Sequence, residues 1–162
     1  MGRVGFWFRV LVTVIDGVIF LPVWFVLMLV LYDSPYAASV ASPVAWLAYS
    51  SMEVALAGTP GKLMLGLRIA NPDGSTADRG TLFLRWSTKQ LPAIAGLAYV
   101  LTAIPSLRLL GSFATLLVLV GCLFASTDSK QAWHDQWAKT AVCRKPRKVV
   151  PVPSAFPVLP PR

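Results

Sequence analysis

Charge is scarce in this sequence. Only 14% of its 162 residues are Asp, Glu, Lys or Arg, where soluble domains carry about 25%, so the polar shell that a globule needs against water is missing. Acids are scarcer than bases, 7 against 15 Lys and Arg, and the formal net charge is +8. The basic residues lie between and beyond apolar runs rather than on a polar domain, which removes nucleic acid from the expected partners. Cysteine and histidine are scarce too. Cys122 and Cys143 form no CxxC pair or Cys/His cluster, so neither a disulfide framework nor a metal site is expected. No cofactor is implied, and no nucleophile stands with a base, so an enzyme is not expected.

What is abundant is hydrophobic sequence, 56% of the chain. A helix that crosses a bilayer needs roughly 20 mainly apolar residues. The first run, residues 10–31, has that length and holds one acid, Asp16. A cleavable signal peptide is the rival reading, but its core is about 7–15 residues and tolerates an acid poorly, so a retained span is expected. Residues 32–43, with Asp33 and two prolines, read as a loop. The next apolar stretch reaches spanning length over 38–58 and carries Glu53 near its end. Two further runs, 91–106 and 109–126, are separated by Pro105, Arg108 and Gly111. Together they far exceed one crossing, which favours two spans over one broken helix. The expected fold class is therefore an all-α membrane protein with about four transmembrane helices.

Between spans two and three the character changes. Asn71-Pro72-Asp73-Gly74 is a turn sequence, and its flanks LRIA (67–70) and STAD (75–78) predict a short hairpin. Residues 81–89 place Leu82, Phe83 and Trp86 among Arg85 and Lys89, the pattern of an interfacial helix. After residue 126 the chain is polar and basic, and residues 145–162 are Pro-rich, a disordered tail by composition. The expected domain is thus 1–144.

Lys and Arg of short loops stay on the cytoplasmic side. The N-terminus, the loop after span two and the C-terminus hold every basic residue except Arg108. Four spans put all three on one side, with both termini cytoplasmic. Trp7, Trp46, Trp86, Trp133 and Trp137 lie near the ends of runs, as interfacial aromatics do.

Several polar residues need an explanation. Arg9 and Asp16 share one helical face with Thr13 between them, yet their rise of about 10 Å is too long for an easy direct pair. An ionised side chain in hydrocarbon costs about 2.5–3.5 kcal/mol on insertion scales, so Asp16 should face protein and meet a partner from another helix. It is either a packing residue or an ion or proton site. Glu53 is expected to reach the interface. His134 stands beside Asp135, but neighbours on a helix do not face each other. A solvated or structural histidine is therefore favoured over a proton carrier, with Asp135 pairing to a base such as Arg9. The string Gly58-Thr59-Pro60-Gly61-Lys62 lacks the spacer and the hydroxyl residue of a phosphate loop. It reads as a turn that ends span two and leaves Lys62 at the anionic lipid headgroups.

Several segments carry a resemblance. GFWFRVLVTVID (5–16), GTPGKLMLGLRIANPDG (58–74), FLRW (83–86) and AWHDQWAKTAV (132–142) together resemble, in order, the RDD family of bacterial membrane proteins, named for one arginine and two aspartates. The likeness covers about residues 3–144. It implies Arg9, Asp16 and Asp135 as the named residues, with Arg85 as the basic residue of the third segment. It also implies a small domain of the bacterial inner membrane for which transport of ions or other ligands has been suggested. The leading expectation is transport, cation/proton exchange at Asp16 with Arg9 and Asp135 controlling its charge, in a homo-oligomer because four helices scarcely enclose a path. The alternative is a scaffold or accessory protein in which these residues only lock helices, while the basic loop and tail bind anionic lipid or a partner protein.

Overall fold

The computed structural model describes residues 2–144, and over them the chain is mostly helical. The proline-rich tail expected at 145–162 lies outside the described residues. Six helices and two short strands follow one another: α1 (Phe6–Val30), α2 (Pro35–Leu56), α3 (Pro60–Met64), β1 (Leu67–Ala70), α4 (Arg79–Thr102), α5 (Pro105–Leu123), α6 (Trp133–Trp137) and β2 (Ala141–Arg144). A 3-10 turn, Phe124–Ser126, continues α5.

Two helical segments, Phe6–Val30 and Pro105–Ser126, are long and apolar enough to cross a membrane, with mean hydropathies of 2.5 and 2.2. At 1.5 Å per residue they measure about 37 and 33 Å, enough for a hydrocarbon core of roughly 30 Å. Within α1 only Val12 and Asp16 are buried. Leu21, Phe25, Val26, Leu29 and Val30 are exposed, as are Leu109, Phe113, Leu116 and Leu119 on α5. A core helix of a soluble protein would be mostly covered; these present continuous apolar surface, for which lipid is the natural solvent.

The helices differ from expectation at their ends. Residues 32–43 are not a loop: α2 begins at Pro35, whose missing N–H costs nothing in a first turn, and runs through Pro43. Only residues 31–34 connect α1 to α2. The separate interfacial helix expected at 81–89 is also absent, because α4 is continuous from Arg79 to Thr102, with Asp78 capping it by accepting from the Thr81 N–H at 3.0 Å. The long apolar stretch 91–126 divides into two helices, but the break falls at Ala103, in left-handed conformation, and Ile104. Arg108 and Gly111 lie inside α5. Gly111 lets α4 approach closely, since a Cβ there would touch Ala95 Cβ and Pro92 O at 3.5 Å, the use of small residues common between membrane helices.

The expected hairpin is also corrected. LRIA (67–70) meets the 75–78 segment only in an Ala70–Thr76 bridge, and pairs in full with β2, in antiparallel register from Leu67↔Arg144 to Ala70↔Ala141. The N-terminal segment joins from the other side, with the Val4 N–H donating to Val142 O at 3.0 Å and the Arg144 N–H to Gly2 O at 3.2 Å. Val4, Val12, Leu67, Ile69, Ala77, Leu82 and Val142 form the core beneath this sheet. Both ends of the described chain and the 57–78 connection therefore gather at one end of the bundle, opposite the 31–34 and 103–104 turns.

Candidate functional site

The polar residues of the helices converge near that gathered end. Three elements meet at Asp16. Its Oδ1 accepts from Tyr49 Oη of α2 and from the Gly61 N–H of α3, both at 2.8 Å, and its Oδ2 accepts from Thr59 Oγ1 at 2.6 Å. The carboxylate thus satisfies an otherwise free N–H in the first turn of α3. Gly61 is dictated by the same contact, because a Cβ would lie 2.9 Å from Asp16 Oδ1 and 3.0 Å from Val12 O. The turn 58–62 is thereby explained. Ala57 ends α2 in left-handed conformation, Thr59 precedes α3, and Gly61 admits α1.

Arg9 does not pair with Asp16. Its Nη1 donates to Asp135 Oδ2 and its Nη2 to Lys130 O at 2.9 Å. Arg85 Nε donates to Asp135 Oδ1 at 2.6 Å, and Arg85 Nη1 to Glu53 Oε1. The other oxygen of Glu53, Oε2, accepts from Lys62 Nζ and Lys89 Nζ, each at 2.6 Å. One continuous chain of ion pairs therefore ties α1 to α6, α6 to α4, and α2 to both α4 and α3. Glu53 and Asp135 are completely buried and Arg85 is 2% exposed. The three are sustained because each charge faces an opposite one, which offsets a desolvation cost of several kcal/mol per ion.

These contacts correct several expectations. Glu53 does not reach the interface: with three cations around it, the interior is its better solvent. Lys62 is not out at the headgroups but turned inward and buried beside Glu53, and burial pushes its amine down to about 8. His134 and Asp135 do meet, Nε2 to Oδ1 at 3.5 Å. Burial, then the Arg85 charge, drives the imidazole down to about 3, so it is neutral near pH 7. The Asp135 carboxyl, despite its burial, is held below the usual carboxylate range by Arg85 and Arg9. Trp46 and Trp86 serve the interior rather than an interface, donating to Gln90 Oε1 at 3.2 Å and Ser50 Oγ at 3.0 Å.

Beside the cluster lies a cavity of about 740 Å³. Arg9, Asp16, Lys62, Arg85, Lys89 and His134 border it, and the rest of its wall is mainly apolar, from α1, α4 and α5. Tyr49 and Lys89 are side chains of this cluster that sequence reasoning did not assign to it, and Lys62 was expected at the headgroups. A signal existed for Lys89. It stands four residues after Arg85 on one helical face, and a lone Glu53 in a neighbouring apolar run needed counter-charges. Among the described residues no three His, Cys, Asp or Glu side chains come together as a metal would need.

Comparison with curated proteins and with solved structures finds no match. The conserved-pattern comparison is decisive by its extent: the model described as the RDD family matches residues 3–139, spanning Arg9, Asp16, Glu53, Arg85 and Asp135, and the chain belongs to the RDD family.

Proposed function

We propose that this chain is a multi-pass protein of a bacterial inner membrane, crossing it with α1, α2, α4 and α5, and that it transports an ion or small ligand with proton or cation exchange at Asp16. The single observation that carries the reading is the setting of Asp16. It borders a cavity of small-molecule size, and its hydrogen bonds come from neutral donors, Tyr49, Thr59 and Gly61. Such donors satisfy the carboxylate oxygens without pairing them to a positive charge. It can accept a cation or proton from the cavity without first breaking an ion pair. Glu53 and Asp135, in contrast, are bound to Arg and Lys and serve to hold helices together. A second copy would complete the path that four helices barely enclose.

The ion-pair chain itself favours a second reading, a scaffold or accessory protein in which the network only locks the bundle and the membrane partners are anionic headgroups. Proton-coupled cation flux in proteoliposomes separates the two. Flux in the wild type that disappears in a folded Asp16→Asn variant supports transport. Absence of flux from both proteins, with a lower unfolding temperature for Asp16→Asn, supports the scaffold.

A further inference from the structure

The cavity wall is more cationic than exchange at Asp16 requires. Arg9, Lys62, Arg85 and Lys89 all border the cavity, and among the described residues Asp16 is the one carboxylate residue lining it. Behind the wall, Glu53 and Asp135 offset part of this charge. With Lys62 and Lys89 both protonated, three carboxylates then stand against four cations, and His134 is neutral, so one positive charge is left over beside a mainly apolar space. The imbalance is concentrated at one point. Lys62 and Lys89 both donate to the same oxygen, Glu53 Oε2, while Arg85 occupies the other. Each ammonium has three N–H donors, and a single carboxylate oxygen is a meagre acceptor for two of them. An anionic group on the cavity side of Lys62 and Lys89 would complete the charge balance.

The opposite wall says what that anion is attached to. Val10 and Val14 of α1 and Leu119 and Leu123 of α5 line the cavity and are exposed. The cavity therefore opens sideways between α1 and α5, through the same apolar surface that lipid would cover. A free inorganic anion leaves this apolar mouth unfilled, and an uncharged lipid leaves the lysines unmatched. We propose that the cavity holds one anionic phospholipid, its phosphate against Lys62 and Lys89 and an acyl chain leaving between α1 and α5.

The test is binding, measured without any gradient, so that it stands or falls apart from transport. Full-length protein in detergent is incubated with phosphatidylglycerol or with phosphatidylcholine of the same acyl chains, and retained lipid is counted by native mass spectrometry. One phosphatidylglycerol per chain is expected, held about tenfold or more in preference to the zwitterionic lipid, as expected where several cations act on one anion. Lys89→Gln should weaken that retention about fivefold while Lys89→Arg keeps it, on the scale of one basic residue. Val14→Trp, which narrows the mouth and touches no charge, should weaken it as well. Circular dichroism melts establish that each variant is folded. Equal retention of the two lipids overturns the proposal, as does unchanged retention in either folded Lys89→Gln or folded Val14→Trp. Displacement of phosphatidylglycerol by millimolar inorganic phosphate overturns it too, by assigning the site to a free anion. Retention without flux would sink the transport reading alone, and flux without retention the lipid site alone.

Discussion

Glu53 is the residue on which most charge depends, since one carboxylate faces Arg85, Lys62 and Lys89 with no exposure to solvent. Replacing it with Gln leaves three cations around a neutral amide. Breaking a buried pair from one side typically costs about 3–5 kcal/mol, because the remaining charge has neither water nor partner. Glu53→Gln should therefore lower the unfolding midpoint sharply, and Glu53→Gln with Lys89→Gln should be less destabilised than the two single changes added. A double-mutant cycle by thermal melting in detergent measures this coupling. Strict additivity would show that the two side chains do not interact as drawn. At this scale the sequence was informative about which residues matter and about the Arg9–Asp135 pair, and poor about the partners of Glu53 and Lys62. Asp16 and Glu53 stood out because ionised groups are expensive within apolar runs, and Asp135 through its place beside His134 and the family resemblance, but Arg9 and Asp16 share a helical face and yet find separate partners. No helical periodicity encodes that Arg9 reaches α6 while Asp16 reaches the turn before α3.

At the level of elements, apolar runs announced the helices, but their boundaries followed tertiary contacts. Pro35 and Pro43 suggested a loop, whereas the first opens α2 and the second is tolerated within it, as proline is when neighbouring helices and local adjustments satisfy the freed carbonyl. The 81–89 segment and residues 91–102 merge into α4, whose buried residues Leu82, Arg85, Gln90 and Ala95 come from both parts. The Asp73-Gly74 turn is real local chemistry, with the Gly74 N–H donating to Asn71 O at 2.8 Å, yet it does not select the strand partner. β1 pairs with a segment about 70 residues later, a choice invisible to any short window. The α4–α5 turn gives a direct test. Ala103 holds φ of 57°, and a left-handed L-residue costs about 1–2 kcal/mol. Ala103→Gly relieves that strain and gives back about 0.5–1 kcal/mol through the greater freedom of glycine in the unfolded chain. A rise in melting temperature equivalent to at most about 1.5 kcal/mol is expected from these two terms. A clear fall would mean that this turn is not left-handed at 103.

For the whole molecule, the two ends of the described chain and the 57–78 connection lie together, joined by the β1–β2 sheet, the Val4–Val142 hydrogen bond and the Arg9–Asp135 pair. That end also carries most of the basic residues, while the 31–34 turn holds Asp33 and no Lys or Arg. Because positive charge in short loops is retained on the cytoplasmic side, the proposed orientation puts residue 73 inside the cell and residue 33 outside. Single cysteines test it, in a chain carrying Cys122→Ala and Cys143→Ala. A membrane-impermeant maleimide applied to intact spheroplasts should label Asp33→Cys at once and Asp73→Cys only after permeabilisation. The reverse pattern would invert the protein. Labelling of both positions from outside would require α2 not to cross, and with it the lateral cavity between α1 and α5 would lose its place in the bilayer.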